Sequence, residues 1–293
     1  MLKEVQHCLR IVVFLFATSL SVAGDLTQAA VDLILPADTP NLQSLANGIQ
    51  QKANFPINTY IAQLPPAEQA GDILLIISDE LLHLLDNNPP YRARFAMYIN
   101  SARFAAYRTG TNSAVYADQP LSRQLKLINT LIGNRHADIA MAWKHPEYRM
   151  QYDALTALYP EYRFESQEAA NSPERQINRL IQQSDVLLAT PETELYNANS
   201  IRSILLAAYR HNTLVIGPNK AFVTAGALAS VNSEPEHYID DIVDSIQHYI
   251  DTGEIPQPRY PSKFNVSINH HVAESLGIPI HSETDLLQQI RQN

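Results

Sequence analysis

The sequence predicts an α/β fold of two lobes, each built on a parallel β-sheet. Four times between His136 and Val231, a short apolar run is followed by a polar or proline-containing break and then by a helix-like stretch. Short runs that are too apolar to alternate, with helices between them, are typical of parallel strands covered on both faces. The part of the chain before residue 118 alternates strands and helices as well. Without its N-terminal segment the chain has roughly 270 residues, so two Rossmann-like lobes of about 130 residues each are expected.

The first half of the chain predicts five strands with helices between them. Thr39 as the N-cap and Pro40 at the first helical position predict a helix, which carries apolar residues at helical spacing from Leu42 to Ala53. A second helix is predicted at Asp79 to Leu85. The five predicted strands are Ala30 to Leu35, Ile57 to Leu64, Ile73 to Ser78, Phe95 to Ile99 and Ser113 to Tyr116.

The second half begins with a helix that Asp118-Gln119-Pro120 opens and that Gly133 ends. Its strand runs are followed by Lys144, by Thr190-Pro191-Glu192 and by Pro218-Asn219-Lys220. Ligands bind beyond the carboxyl ends of parallel strands, so these breaks are where a site is expected. The runs themselves are Ile139 to Trp143, Asp185 to Ala189, Thr213 to Ile216 and, more weakly, Tyr162 to Ser166.

The C-terminal part predicts a closing helix and strand. Ser233-Glu234-Pro235-Glu236 fits a capping box for a helix that ends before Gly253, and Phe264 to Ile268 alternates as a strand does. Asn269 is predicted to cap a short helix. We place the first crossing between lobes after residue 118. The first lobe is then predicted to contain residues 28–118 and about 232–260, and the second residues 119–231 and about 261–293.

The N-terminus predicts export. Lys3 and Arg10 precede an uncharged stretch that leads into Ser21-Val22-Ala23-Gly24, which is typical of a secretory signal peptide over residues 1–23, cleaved after Ala23 or Gly24. An uncleaved membrane anchor is the alternative. The single cysteine, Cys8, would leave with the signal, so the mature chain is expected to contain no disulfide. A soluble periplasmic protein follows from this interpretation.

Composition and motifs exclude several classes of function. The formal charge is -9 and no run is rich in lysine or arginine, so nucleic acid and anionic lipid surfaces are not expected partners. The sequence has no G-x-S-x-G, P-loop, G-x-G-x-x-G or H-E-x-x-H motif. The adjacent pair His270-His271 points to different helix faces and is not expected to bind one metal ion. We therefore expect neither enzymatic activity nor a bound metal ion or cofactor. The members of a Ser-His-Asp triad are distant from one another in a chain, and nothing in this sequence favours such a triad.

Several segments, in the same order, resemble a known family. They are Leu121 to Ile132 with Asp138 to Met141, Asp185 to Pro191, Ile201 to His211 with Leu214 to Gly217, Ala225 to Ala229, and Asn265 to Ile278. The order resembles the substrate-binding proteins of ABC transporters with the type 1 periplasmic-binding fold, in the branch that includes tryptophan- and tyrosine-type binders. The resemblance covers about residues 118–278. Ala140 stands where the family has a glycine.

The first lobe departs from the family pattern. Ser78-Asp79 stands where many members carry Gly-Thr or Thr-Ala, and Asp38-Thr39-Pro40-Asn41 replaces a glycine-rich helix start. These departures are where the ligand preference of this chain is expected to lie.

The resemblance implies a monomeric bilobed receptor that closes on a small molecule, with amino-acid-like ligands among the candidates, and delivers it to a membrane permease. A membrane sensor as partner and an exported enzyme on the same scaffold are the alternatives. By position in the family pattern, the implied ligand contacts are Asp38, Ser78 and Tyr116 from the first lobe and Glu192 and Asn219 from the second.

Each of these residues also has a structural interpretation. Asp38, Ser78, Glu192 and Asn219 are suited to helix starts, and the ring of Tyr116 is suited to the core. The single tryptophan, Trp143, is suited either to stacking on an aromatic ligand or to packing under the hinge.

Overall fold

The computed structural model describes residues 29–86, 91–133, 135–169, 171–279 and 282–292. The predicted signal peptide and Cys8 lie outside these residues. No helix among the described residues is long and apolar enough to cross a bilayer.

The first sheet has five strands, all parallel, in the spatial order β2-β1-β3-β4-β5. The central strands β1 and β3 are buried along their whole length, because helices cover both faces. The strands are β1 (Val31–Leu35), β2 (Ile57–Ile61), β3 (Ile73–Ile77), β4 (Ala93–Ile99) and β5 (Asn112–Tyr116).

The second sheet has six strands in the order β11-β10-β9-β8-β6-β7. All neighbouring pairs are parallel except β10 with β11, which runs antiparallel at the sheet edge. The strands are β6 (Ala137–Trp143), β7 (Tyr162–Glu168), β8 (Val186–Leu188), β9 (Leu214–Ile216), β10 (Ala229–Asn232) and β11 (Asn265–Ile268). Together the two sheets confirm the predicted α/β fold with a parallel sheet in each lobe.

Ten α-helices are found among the described residues. They are α1 (Pro40–Lys52), α2 (Ser101–Phe104), α3 (Leu121–Ile132), α4 (Pro146–Thr156), α5 (Pro173–Gln183), α6 (Ile201–His211), α7 (Lys220–Ala225), α8 (Pro235–Thr252), α9 (His270–Ser275) and α10 (Glu283–Gln292). Helices α1 and α8 bury their apolar faces against one side of the first sheet. On the second sheet, α3, α4, α9 and α10 cover one side and α5, α6 and α7 the other.

The chain passes between the two sheets three times, after β5, after β10 and after α8. The connecting segments hold one another. The Gln119 amide donates to the Ser233 hydroxyl at 2.9 Å, and Ser233 donates to the Lys263 carbonyl at 2.7 Å. Arg123 donates to both Gln119 and the Pro261 carbonyl at 2.8 Å. The three crossings therefore form one hydrogen-bonded strip. The predicted lobe boundaries stay a prediction.

Local predictions were confirmed in most elements and wrong in two. Thr39 caps α1 by accepting from the Leu42 N–H. Strand β2 ends at Ile61, earlier than predicted, because Ala62 takes a positive φ and the chain turns. The helix predicted at Asp79–Leu85 is present, as a 3-10 helix. The capping box of α8 uses Glu234 and His237, one position later than the predicted Ser233 box.

Candidate functional site

The two sheets reverse their strand order at β1/β3 and at β6/β8. The crevice beyond the carboxyl ends of such strands is where open α/β sheets bind ligands. A cavity of about 240 Å³ lies beyond the carboxyl ends of strands of both sheets, lined by residues of both lobes. Its walls follow β3 and β4 in the first lobe and β6 and β8 in the second. The lining residues are Ser78, Asp79, Glu80, Asn100, Arg103, His145, Pro191, Glu192, Thr193 and Glu194.

A larger groove of about 950 Å³ adjoins this cavity and shares Ser78 with it. The groove runs between α1, the ends of β3 and β4, and the start of α8, and Tyr98 forms part of its wall. Tyr98 lies at an irregularity in β4, has a φ of 59° and packs on Tyr238 with the ring centroids 4.4 Å apart. The groove is lined by the first lobe and the start of α8. Of the two, the smaller cavity is the one lined by both lobes.

The backbone is strained at Ser78, where the cavity meets β3. Ser78 has φ 88° and ψ 145°, a region that is occupied almost entirely by glycine and costs of order 1–3 kcal/mol. Its N–H donates to the Met97 carbonyl at 3.0 Å and its hydroxyl accepts from the Glu80 N–H at 3.4 Å. These contacts hold the strained turn at the mouth of the cavity. Strain of this kind concentrates at functional sites.

Asp79 joins the ends of β3 and β4. Its Oδ1 accepts from the Asn100 N–H at 2.8 Å. Burial raises the pKa of Asp79, while the Asn100 N–H and the Arg103 guanidinium act in the opposite direction. Asn100 also caps α2, since its side-chain oxygen accepts from the N–H groups of Ala102 and Arg103. Arg103 is thereby directed from α2 toward the second lobe.

Glu192 fixes the second-lobe wall. The side chain is buried, with 2% of the residue exposed. Oε1 accepts from the N–H groups of Lys144 and His145 at 2.9 and 2.7 Å, and Oε2 accepts from the Thr190 hydroxyl at 2.6 Å. Desolvation raises the pKa of Glu192 despite these hydrogen bonds. The carboxylate therefore ties the end of β6 to the end of β8 within its own lobe.

An ion pair crosses the mouth of the cavity. Arg103 of the first lobe donates to Glu194 of the second at 3.0 Å, and Arg103 Nε lies 3.8 Å from Asp79 Oδ2. His145 Nε2 is 4.0 Å from Glu194 Oε1. Burial alone would raise the pKa of Glu194, but its own backbone N–H and the neighbouring Arg103 and His145 lower it overall. The pair is partly exposed, with 42% and 32% of the two side chains accessible.

A second polar contact joins the lobes beneath the cavity. Asn100 donates to the Tyr148 hydroxyl on α4 at 2.7 Å, and Tyr148 donates to Asp118 at 3.4 Å. Asp118 also accepts from the Ser101 N–H at 2.8 Å and from the Ser101 hydroxyl at 2.5 Å. Burial raises the pKa of Asp118 to about 6, and the hydrogen bonds from Ser101 limit that rise.

The structure brings two of the five predicted contact residues, Ser78 and Glu192, to the same cavity. The other three lie elsewhere. Asp38 is exposed before α1 and accepts from Gln43 at 2.9 Å. Tyr116 is buried in the first-lobe core. Asn219 caps α7 by accepting from the Phe222 N–H at 3.3 Å. A ligand role for any of the five stays a prediction.

Eight of the ten lining residues were not among the predicted contacts: Asp79, Glu80, Asn100, Arg103, His145, Pro191, Thr193 and Glu194. Each lies one to five residues beyond a predicted strand, so the position of the strand ends was a usable signal. Arg103 was harder to find, because its direction depends on the short helix α2 that Asn100 caps. Trp143 packs against the second-lobe core and does not line the cavity. The described residues contain no cluster of three or more side chains suited to a metal ion.

No protein-family model matches this sequence, and no curated protein sequence is significantly similar to it. Solved structures match along most of the chain. A conserved domain protein from Vibrio cholerae O1 biovar El Tor is 18% identical, with a TM-score of 0.61 over 89% of this chain and 98% of that one. A ligand-free, open substrate-binding protein with adhesive properties from Clostridium difficile is 14% identical, with a TM-score of 0.65 over 87% and 96%. An ABC domain from Streptococcus pneumoniae in complex with L-Trp is 14% identical, with a TM-score of 0.60 over 89% and 98%.

These matches define the class of architecture. The chain has the type 1 periplasmic-binding fold, and the solved proteins that share this fold include substrate-binding proteins of ABC transporters. The predicted fold class is confirmed, and it is the fold that the resemblance to the suspected family implied. At identities of 18% and below, the similarity is one of fold.

Proposed function

We propose that this protein is an exported solute-binding protein that captures a small organic molecule between its lobes and delivers it to an ABC importer. The observation that supports the proposal is the cavity beyond the carboxyl ends of β3 and β4 in one lobe and of β6 and β8 in the other, lined by both lobes and bridged by Arg103 and Glu194. A solute held there would be in contact with both lobes at once. Its binding would therefore favour the closed arrangement of the lobes, since it can touch both walls only in that state.

The arrangement of polar groups supports binding rather than catalysis. The carboxylate of Glu192 is engaged by backbone N–H groups of its own lobe, and Asp79 is engaged by the Asn100 N–H. Carboxylates that backbone N–H groups hold in a fixed position are suited to selective recognition of a bound molecule. Two of the solved structures with this fold, a substrate-binding protein and a domain in complex with L-Trp, also favour binding over catalysis.

Export and delivery are part of the proposal. The N-terminal sequence with the features of a signal peptide supports placement in the periplasm. A periplasmic binding protein that closes on its solute presents a closed form to a membrane permease. Disruption of the gene is then expected to abolish cellular uptake of the solute that the purified protein binds. Unchanged uptake would argue against delivery while leaving solute binding intact.

The binding proposal is tested by thermal unfolding in the presence of metabolite panels, followed by titration of each active compound. A solute at a concentration of 100 times Kd stabilises the folded state by about 2.7 kcal/mol. Trp143 ends the strand that leads to His145 and is the single tryptophan of the chain, so its fluorescence offers a second readout.

A variant with a larger side chain in the cavity wall tests whether the compound binds there. Thr193→Tyr adds a ring to the cavity wall, whereas Thr156→Tyr makes the same change at an exposed position on α4. We expect the active compound to stabilise the wild type and Thr156→Tyr but not Thr193→Tyr. Equal stabilisation of all three proteins would place the compound elsewhere. A chain that responds to no compound would contradict the proposal.

A further inference from the structure

The interlobe cavity carries a marked excess of negative charge. Four of its ten lining residues are carboxylic acids, Asp79 and Glu80 from the first lobe and Glu192 and Glu194 from the second. Arg103 is the one lysine or arginine among the lining residues. With histidine counted as neutral, four negative charges stand against one positive charge.

The single guanidinium does not balance both walls. Arg103 is committed to Glu194 at 3.0 Å, and its Nε is 3.8 Å from Asp79 Oδ2, beyond hydrogen-bonding distance. Burial raises the pKa of Asp79 although the Asn100 N–H and Arg103 lower it, whereas the pKa of Glu194 is lowered, despite burial, by Arg103, His145 and Lys144. A cation beside Asp79 would offset the cost of burying that carboxylate.

An anion would find few free donors at the cavity edge. At four helix starts, one or two of the first-turn N–H groups that commonly bind anions are already taken by side chains of the chain itself. Thr39, Ser78, Asn100 and Asn219 each accept from an N–H of the turn that follows, and Glu192 accepts from the two N–H groups beyond β6. These helix starts therefore have fewer free N–H groups to offer to an anion.

The volume of the cavity and the chemistry of its lining residues narrow the class of ligand further. The cavity of about 240 Å³ is smaller than the roughly 300–1,000 Å³ of pockets for drug-sized ligands. Among its lining residues the only ring other than that of Pro191 is the imidazole of His145. His145 Nε2 makes no hydrogen bond within the described part of the chain and lies 4.0 Å from Glu194 Oε1. The walls offer no flat apolar face for an aromatic side chain.

Granted the solute-binding function proposed above, we propose that the cavity selects a small, non-aromatic solute that carries a positive charge. The cationic group lies between Asp79 of the first lobe and Glu194 of the second, where Arg103 now bridges the lobes. A neutral molecule of the same shape lacks the charge that the two carboxylates select. Charge, rather than ring stacking, then sets the specificity of the site.

The test compares charged compounds with neutral analogues of the same shape. Isothermal titration calorimetry with the full mature protein would use putrescine against 1,4-butanediol and choline against 3,3-dimethyl-1-butanol, together with L-lysine and L-arginine. Myo-inositol, D-ribose, L-glutamate and L-tryptophan represent neutral, anionic and aromatic solutes. We expect at least one cation to bind, to bind at least tenfold more tightly than a neutral analogue where one is included, and to weaken as salt concentration rises.

Two variants and one control connect the binding to the cavity. Asp79→Asn and Glu194→Gln are each expected to weaken binding of the cation at least tenfold. Asp244→Asn, which removes the same charge from the exposed face of α8, is expected to leave it within twofold. Melting of each variant without solute shows whether it is folded. Since Glu194 is partly exposed, Glu194→Gln keeps the test valid even if Asp79→Asn is unstable.

The outcomes separate this proposal from the general function. Binding of a sugar or an acid that Thr193→Tyr abolishes, with every cation inactive, would overturn the charge selectivity and leave solute binding in place. Cation binding that Asp79→Asn and Glu194→Gln leave unchanged would overturn the assignment to this cavity. If no compound of any class binds, both proposals fail together.

Discussion

Glu192 illustrates how one buried side chain can be structural and still belong to the site. Its carboxylate holds the N–H groups of Lys144 and His145 and the hydroxyl of Thr190. In Glu192→Ala the two N–H groups lose their acceptor, and unsatisfied buried groups cost about 1–3 kcal/mol each. In Glu192→Gln the amide oxygen can still accept from both, and the neutral side chain avoids the cost of burying a charge.

We therefore expect Glu192→Ala to lower the free energy of unfolding by about 2–4 kcal/mol and Glu192→Gln to change it by less than about 1 kcal/mol. Urea denaturation of the solute-free protein measures both. The exposed neighbour serves as the control, because Glu194→Ala should stay within about 1 kcal/mol of the wild type. Equal losses in the alanine and glutamine variants would mean that the charge, and not the acceptor, holds this wall together.

The residue scale also shows where sequence reasoning stops. Ser78 was predicted as a site residue from its position in the family pattern, which depends only on the order of segments along the chain. The partnership of Arg103 with Glu194 joins residues 91 positions apart on different lobes. Nothing in the local sequence of either residue specifies the other, since the distance between them is set by how the two lobes meet. Tyr116 ends a strand too, but its ring turned to the core.

At the scale of elements, the contact of α1 with α8 depends on a glycine. A Cβ added to Gly48 would lie 2.7 Å from Ile239 Cδ1, so the two helices approach closely at this point. Glycine within a helix costs about 1 kcal/mol relative to alanine, which favours substitution, while the contact with Ile239 opposes it. The pair therefore offers a test of how tightly α8, which follows the second crossing, is bound to the first lobe.

We expect Gly48→Ala to gain less than its helix propensity allows, or to lose stability, because Ile239 must move. In an Ile239→Val background, which removes Cδ1, the same substitution should stabilise by up to about 1 kcal/mol. A double-mutant cycle measured by urea denaturation gives the coupling between the two positions, expected to be at least about 0.5 kcal/mol. Additive effects would show that the helices are farther apart in solution.

Elements with strong periodicity were predictable from sequence, while their partners were not. The apolar stripe of α8 and the cap of α1 are local properties, and both were found in place. The capping box of α8 was misplaced by one residue, because Ser233 instead donates to Lys263 in the third crossing. The same hydroxyl could serve a helix or a crossing, and only the long-range contact decides between them.

For the whole molecule, the two-lobe architecture was predictable because it follows from strand and helix order, which sequence pattern records well. The relation between the lobes has a different physical origin. It rests on three crossings tied by Gln119, Arg123 and Ser233, on the Asn100–Tyr148 contact, and on the Arg103–Glu194 pair. The crossings are covalently continuous, whereas the last pair lies at the cavity mouth and is partly exposed, so it is the contact most easily exchanged for a solute.

Loss of this pair should therefore open the molecule without unfolding it. Arg103→Met keeps an unbranched stem and removes the guanidinium. An exposed ion pair contributes up to about 1 kcal/mol, which corresponds to about a fivefold change in the population of open and closed forms. Energy transfer between dyes at Ser44 on α1 and Ala221 on α7, each replaced by cysteine in a Cys8→Ser background, would report the separation of the lobes.

Arg149→Met is the matched control for this experiment, because Arg149 pairs with Asp153 within the single helix α4 at similar exposure. In the absence of added solute, we expect a longer mean dye separation for Arg103→Met than for either the wild type or Arg149→Met. The difference should shrink in 1 M salt, where the Debye length is about 3 Å and the pair is screened. If all three proteins give the same distribution of dye separations at low salt, the crossings alone set the lobe arrangement. A solute that displaces Arg103 from Glu194 would then not change the separation of the lobes.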